Sequence, residues 1–234
     1  PGVEREVAIK VISPVFANEP EFIRRFETEA QLIARLEHPF IVPIFDFWRD
    51  PDGAYLVMRW LPDNLRGLIA RQGALEPEQV VRITEQVASA LTFAHKHGVI
   101  HLDIKPDNIL LDADGNAYLS DFGIAMVRDA ESTALPNHDD QTQGSPAYMT
   151  PEQLLGSKVA PYTDIYQLGL TIYEMLVGAS PFAGKTPGTT ILQHLRDPLP
   201  ALPAALSAAD PVLMRATLKD PTERYASATE LALD

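Results

Sequence analysis

Short alternating runs of apolar residues at the start of the chain predict strands, with one helix between them. Val7–Ile12 alternates around Lys10 as a buried strand would, and Pro14 ends it. Two further apolar runs, Phe40–Trp48 and Ala54–Trp60, are separated by turn-forming residues and predict a hairpin. Between the first strand and this hairpin, apolar residues recur at helical spacing: Ile23, Phe26, Ala30 and Ile33.

The pattern changes near Leu61, beyond which long helical stripes dominate. Glu76–His97 predicts an amphipathic helix that Gly98 ends. Ile165–Val177 is apolar on most sides, which predicts a buried helix capped by Asp164. Two later segments predict peripheral helices: Leu213–Leu218 and Ala226–Leu233. A strand-rich beginning and a mainly helical remainder indicate an α+β fold.

One loop concentrates the polar chemistry of the chain. The segment Val99–Asp112, VIHLDIKPDNILLD, begins with a strand-like pair and ends in a second apolar run. Its loop carries His101, Asp103, Lys105 and Asn108. A turn at residues 114–116 then returns the chain as a strand, Ala117–Ser120, which ends in Asp121. The hairpin therefore brings two carboxylates and an amide together.

This group of residues suits transfer of a phosphoryl group from a metal nucleotide. Asn108 and Asp121 offer hard oxygen ligands for Mg²⁺ or Mn²⁺, Asp103 can accept a proton from an attacking hydroxyl, and Lys105 can neutralise the moving phosphate. Taken singly, a loop Asp is usually a turn former and a Lys is usually solvated. The ordered set H-x-D-x-K-P-x-N followed by D-F-G is far more specific.

These motifs resemble those of eukaryotic-type Ser/Thr protein kinase domains, of the sort also found in bacteria. The resemblance runs from Val7-Ala8-Ile9-Lys10, through a G-S-P-A-Y-M-T-P-E segment at residues 144–152, to Arg224. It implies a bilobal kinase-like fold. Residues 1–61 would form a partial, strand-rich N-lobe with one helix, and residues 62–234 a larger, mainly helical C-lobe.

The resemblance also assigns roles around the nucleotide. Asp103 would be the base, with Lys105 as charge stabiliser, while Lys10 would hold the α- and β-phosphates of ATP and pair with Glu29. Without the motifs, Glu29 would be expected to reach water at the edge of its helix. The metal ligands would be Asn108 and Asp121, and the other nucleotide contacts would be Ala8, Met58, Arg59, Leu61 and Leu110.

Three structural contacts are implied by the same resemblance. His101 would pack beneath Phe122 in a column of side chains that Asp164 holds, completed by Ile33 and Ile44. Glu152 would pair with Arg224, although the two residues are far apart in sequence. The third contact would join Ser145 to the two catalytic-loop residues Asp103 and Lys105.

The chain departs from the family pattern in two places. No G-x-G-x-x-G motif precedes Lys10, so we expect a fragment that lacks the first two strands of a kinase and has weak or no activity by itself. Leu102 stands where most kinases have Arg, and Met126 where a basic residue is usual. We therefore hypothesise that phosphorylation of the activation segment, which contains Ser132, Thr133 and Thr142, is not the main on-switch.

Composition limits the cellular location and the classes of binding partner that we expect for this chain. The 234 residues include no cysteine, which excludes disulfides and thiolate zinc sites and suits a reducing cytoplasm. The formal net charge of −13 argues against nucleic-acid binding. No apolar run approaches the roughly 20 residues that span a bilayer, so we expect no membrane contact from this segment. The pattern leaves the oligomeric state open.

The sequence favours a kinase that phosphorylates Ser or Thr of protein substrates. Lys105, two residues after Asp103, matches the Ser/Thr type, whereas tyrosine kinases usually carry Arg and Ala in this loop. One alternative is a pseudokinase-like module that binds nucleotide or acts as a scaffold. Another is a small-molecule kinase such as an aminoglycoside phosphotransferase, which would not be expected to contain the segment from D-F-G to P-E.

Overall fold

A three-stranded antiparallel sheet and one helix make up the beginning of the chain. The computed structural model describes residues 5–13, 20–122, 146–182, 184 and 186–234, and within these the side chains of residues 20–25 and 29 are not described. The elements are β1 (Val7–Ile12), α1 (Pro20–Ala34), β2 (Ile44–Asp50) and β3 (Gly53–Arg59). Strands β2 and β3 form the predicted hairpin, and the strand order is β1-β3-β2.

The prediction that Val7–Ile12 is a buried strand is wrong for one of its faces. Among the described residues, β1 has a neighbouring strand on one side only. The side chains of Ile9 and Val11 are 55% and 60% exposed, whereas Ile12, on the opposite face, is 9% exposed. Alternation therefore identified the strand correctly but could not show that only one face packs against the core.

The remainder of the chain is mainly helical. Its helices are α2 (Leu65–Gln72), α3 (Pro77–Lys96), α4 (Pro151–Leu154), α5 (Pro161–Val177), α6 (Pro187–Arg196), α7 (Asp210–Ala216) and α8 (Ala228–Leu233). Short 3₁₀ turns cover Pro106–Asn108, Pro146–Tyr148, Ala204–Ala209 and Pro221–Glu223. Of the described helices, none is long and apolar enough to cross a bilayer.

Helix α5 runs through the middle of the helical part and is buried as predicted. Every residue from Thr163 to Leu176 is buried. The prediction that Asp164 caps this helix is wrong, because the helix begins at Pro161 with Ala160 as its N-cap. The Ala160 N–H donates to Thr163 Oγ1 at 3.3 Å, which leaves the Asp164 carboxylate for partners outside the helix.

A small second sheet connects the two parts of the fold. It contains β4 (Asp63–Asn64), β5 (Ile109–Leu111) and β6 (Ala117–Leu119) in that order, and the strand-like pair at residues 99 and 100 lies in no strand. The backbone of Leu119 donates to Phe40 O at 2.9 Å and accepts from Val42 N at 3.0 Å. These bonds bring the end of β6 beside the first sheet, so that Asp121 comes within reach of β1.

Candidate active site

The loop before β5 is fixed by the carboxylate of Asp164. Asp164 Oδ2 accepts the N–H of His101 at 2.8 Å, and Oδ1 accepts the N–H of Leu102 at 2.7 Å. His95 Nε2 lies 2.7 Å from the same carboxylate, so this histidine has a specific partner besides the helix end. Leu102 has a φ of 66°, which a leucine rarely adopts and which the surrounding bonds must therefore enforce.

His101 packs against Phe122, as predicted. Its ring is fully buried and lies 4.6 Å from the Phe122 ring between centroids. Its Nε2 lies 2.7 Å from Ser120 O. Burial lowers the pKa of His101, partly opposed by the Asp164 carboxylate, so the neutral ring is favoured at neutral pH. Ile33 and Ile44 line a small cavity together with Phe122.

Two polar residues of the loop converge on one carboxylate oxygen of Asp103. Lys105 Nζ donates to Asp103 Oδ2 at 2.7 Å, and Asn108 Nδ2 donates to the same oxygen at 2.9 Å. Asn108 Nδ2 also donates to the backbone carbonyl of Asp103 at 2.8 Å. Asp103 Oδ1 accepts no hydrogen bond from any described residue. The carboxylate is thus oriented by two donors and keeps one oxygen available to a hydroxyl group.

Asp121 lies two residues beyond β6 and meets β1. It has a φ of 59°, and its Oδ1 accepts a hydrogen bond from Lys10 Nζ at 2.5 Å. The two side chains are 31% and 39% exposed. The predicted partner of Lys10 is Glu29, which lies in α1, but its side chain is outside the described part. That pair therefore stays a prediction.

Two oxygens at this site fit a hard cation. The contacts given above are made by Asn108 Nδ2 and Asp121 Oδ1. Within the described ranges, no hydrogen bond reaches the other atom of either group, Asn108 Oδ1 or Asp121 Oδ2. Amide and carboxylate oxygens suit Mg²⁺, which is usually held by one or two such groups together with substrate phosphates. The described residues contain no cluster of three His, Asp or Glu that could hold a metal by themselves.

The residues predicted to contact nucleotide lie on β1, on and just after β3, and on β5. Ala8 faces Met58 across the β1–β3 ladder, and Met58 lines the small cavity that also includes Asp121. The Arg59 guanidinium stacks over the Tyr118 ring at 4.9 Å from its centroid. Leu61 follows β3, and Leu110 lies in β5, where it pairs with Asn64 and Tyr118.

The predicted pair of Glu152 and Arg224 is present and deeply buried. Arg224 donates to both carboxylate oxygens, at 2.8 and 2.9 Å, and its side chain is 0% exposed. Burial by itself would raise the pKa of Glu152, but the hydrogen bonds and charge of Arg224 lower it overall. The carboxylate therefore stays ionised and anchors helix α4 to the residue that follows the 3₁₀ turn Pro221–Glu223.

Sequence analysis missed two glutamines beside the catalytic loop. Gln153 and Gln167 both donate from Nε2 to the carbonyl of Leu102 at 3.0 Å. Gln167 also accepts the N–H of Ile104 at 2.9 Å. A signal was available, because an uncharged amide within an apolar helix needs a buried partner. The predictions that involve Met126, Ser132, Thr133, Thr142 and Ser145 lie outside the described residues.

Comparisons with known proteins cover nearly the whole chain. Residues 2–231 match the family model of the protein kinase domain. The Ser/Thr-protein kinase PrkC of Bacillus subtilis is 38% identical over 99% of this chain and 36% of its own length. PknB of Mycobacterium tuberculosis is 36% identical over 99% of this chain and 38% of its own length. The chain therefore spans less than half the length of these curated relatives.

A solved structure gives the same result for the fold. The crystal structure of the Mycobacterium tuberculosis PknI kinase domain is 31% identical and superposes with a TM-score of 0.76, covering 97% of this chain and 83% of that one. The kinase-like α+β fold predicted from the motifs is thereby confirmed. Because the family model and these relatives match the chain almost from end to end, the chain belongs to the protein kinase family.

Proposed function

We propose that this chain transfers a phosphoryl group from ATP to Ser or Thr hydroxyls of protein substrates. The observation that carries the proposal is the Asp103 carboxylate, which Lys105 and Asn108 orient through one oxygen while the other stays available. The names of the relatives, which are Ser/Thr-protein kinases, support the substrate class.

Asp103 would accept the proton of the attacking hydroxyl and hold that hydroxyl in line with the phosphorus. An oriented carboxylate suits this task because phosphoryl transfer depends mainly on positioning and on stabilisation of charge. Lys105, 2.7 Å from Asp103 Oδ2, would also face the negative charge on the group in transfer. Asn108 would fix the carboxylate through its amide N–H groups.

Asn108 and Asp121 would hold Mg²⁺ or Mn²⁺ through their available oxygens. ATP supplies the phosphoryl group, and the cation balances its charge. Lys10, now bonded to Asp121, would exchange this carboxylate for the α- and β-phosphates, with Glu29 as its further partner. The ammonium group is partly exposed, so the exchange requires no buried charge to be uncovered.

The nucleotide base would lie between the two parts of the fold. Ala8, Met58 and Leu110 would supply apolar contacts, while the Arg59 carbonyl and the Leu61 N–H would bind the adenine edge. This arrangement divides the chain into an N-lobe of residues 1–61 and a C-lobe of residues 62–234. A cytoplasmic location goes with the proposal, since ATP is abundant there and the chain contains no cysteine.

The test is phosphate transfer from γ-labelled ATP and Mg²⁺ to a generic basic protein. The protein expressed from its complete coding sequence is compared with an Asp103→Asn variant, and the phosphorylated residues are identified by mass spectrometry. We expect phosphoserine or phosphothreonine from the natural protein and a rate at least about 100-fold lower from the variant. Equal rates for the two proteins would overturn the assignment of Asp103.

A further inference from the structure

Gln167 makes two hydrogen bonds that bracket Asp103. Its side chain is 2% exposed and extends from helix α5 to the catalytic loop. Its Nε2 donates to the carbonyl of Leu102 at 3.0 Å, and its Oε1 accepts the N–H of Ile104 at 2.9 Å. The amide therefore binds one group before Asp103 and one group after it.

These two bonds restrict both backbone dihedrals of Asp103. The Leu102 carbonyl belongs to the peptide plane that precedes Asp103, and the Ile104 N–H belongs to the plane that follows it. The angles φ and ψ describe how these two planes are rotated about the Cα atom between them. A single planar carboxamide that binds both planes therefore fixes the direction in which the Asp103 side chain leaves the backbone.

Gln153 extends this contact to the segment before helix α4. Its Nε2 donates to the same carbonyl of Leu102 at 3.0 Å, while its Oε1 accepts the N–H of Thr150 at 3.0 Å. Gln167 Nε2 also lies 3.2 Å from Tyr148 O and 3.3 Å from Gln153 Oε1. The two amides thus join residues 148–153 to the backbone of the catalytic loop.

The backbone at Leu102 needs such support. Its φ of 66° is unfavourable for leucine, and its apolar side chain brings no charge that a phosphate group could engage. We propose that Gln167 is a positioning residue for Asp103, and that Gln153 and Gln167 together couple residues 148–153 to that carboxylate without a phosphate group. This inference rests on the proposed function, because it concerns the base of the same reaction.

The test compares Gln167→Met with a matched control, Gln86→Met, in the protein expressed from its complete coding sequence. Gln86 is 9% exposed, and its Oε1 accepts the N–H of Ala117 at 2.7 Å, so this change also removes a buried amide that binds the backbone. We expect Gln167→Met to lower kcat about 10- to 100-fold with KM for ATP within about twofold. The control should keep kcat within about twofold of the natural value.

A Gln167→Glu variant distinguishes positioning from general stability. A neutral Glu side chain can donate its O–H to Leu102 O and accept the Ile104 N–H, whereas the ionised form cannot donate. The variant should therefore regain kcat as pH falls, relative to the natural protein at each pH. The titratable neighbours His101, Asp103 and Asp164 are present in both proteins, so they cancel in this ratio.

Each outcome separates this inference from the proposed function. If the natural protein transfers no phosphate, the proposed function fails first. If it does transfer phosphate, a kcat for Gln167→Met equal to that of the Gln86→Met control would overturn the positioning role. Should Gln167→Met not fold, the variants Gln153→Met and Gln167→Glu provide the test. The positioning role would also be overturned if Gln153→Met left kcat unchanged and if the kcat of Gln167→Glu relative to the natural protein did not change with pH.

Discussion

The catalytic loop and the strand that carries Lys10 face the same site but are held in different ways. In the loop, the consecutive N–H groups of residues 101–104 all donate to side chains, namely those of Asp164, His101 and Gln167. Lys10, by contrast, projects from β1, which pairs on one side only within the described part of the chain, and is 39% exposed. The difference indicates that the base is fixed in advance, whereas the phosphate-binding lysine can change partners.

Removing the anchor of the loop should have the largest effect on stability. In Asp164→Asn, one amide oxygen must replace a carboxylate that accepts two N–H groups, so at least one buried donor loses its partner. The lost bond to a charged group costs about 1.5 to 3 kcal/mol, and the buried NH₂ group that the substitution introduces without an acceptor adds about 1 to 3 kcal/mol, so we expect a loss of about 3 to 6 kcal/mol in total. Urea unfolding measures this change, and a loss below about 1 kcal/mol would contradict the anchoring role.

Breaking the buried pair outside the loop should have a similar but slightly smaller effect. Glu152→Gln leaves the Arg224 guanidinium without its carboxylate and should cost about 3 to 5 kcal/mol in unfolding free energy. The matched control is Glu230→Gln, which breaks an exposed pair with Arg215 and should cost less than about 1 kcal/mol. Equal losses of unfolding free energy in the two variants would mean that burial does not determine how much an ion pair contributes to stability.

Acid should weaken the helical part through His194. Burial, with a further contribution from the Lys219 ammonium, lowers the pKa of His194 to about 4 from 6.5. The unfolded chain therefore binds the proton more readily, and the contribution is complete above pH 6.5 and is lost as pH falls towards 4. The difference corresponds to about 3 kcal/mol at most.

The measurement is the unfolding free energy of the natural protein and of His194→Gln between pH 7 and pH 4. The natural protein should lose more stability over this range than the variant does. Lys219, whose pKa burial lowers to about 8, titrates above the range and does not interfere. Parallel curves for the two proteins would exclude His194 as the source of the acid sensitivity.

A substitution of Lys10 on β1 should have the smallest effect on stability. Lys10→Met removes the contact with Asp121, but both side chains are partly exposed, so the unfolding free energy should change by less than about 1 kcal/mol. Transfer activity should nevertheless fall, because the proposed phosphate ligand is lost. If thermal unfolding shifted as strongly as in Asp164→Asn, the two sides of the site would not differ as described.

Much of the site was predictable because its residues lie close together in the sequence. Asp103, Lys105 and Asn108 belong to one short loop, and a single hairpin leads from them to Asp121. Motif spacing was therefore sufficient to group them. The pair of Glu152 and Arg224, 72 residues apart, could be predicted only from the resemblance to a family.

The errors and omissions share a physical cause, which is that local patterns do not identify distant partners. Asp164 is a residue type that often caps helices, but its carboxylate accepts N–H groups more than 60 residues earlier in the chain. Gln167 lies in an apolar helix whose pattern gives burial but no partner. The alternation in β1 likewise gave the strand without showing which of its faces packs.

The most direct test is to measure nucleotide binding and a single turnover of phosphate transfer on the same sample, with the protein in excess over labelled ATP. We expect the natural protein to bind ATP with Mg²⁺ and to transfer the phosphate to Ser or Thr. Asp103→Asn should bind ATP equally well and transfer at least about 100 times more slowly. A natural protein that binds ATP and transfers nothing would contradict the proposal and indicate a nucleotide-binding module.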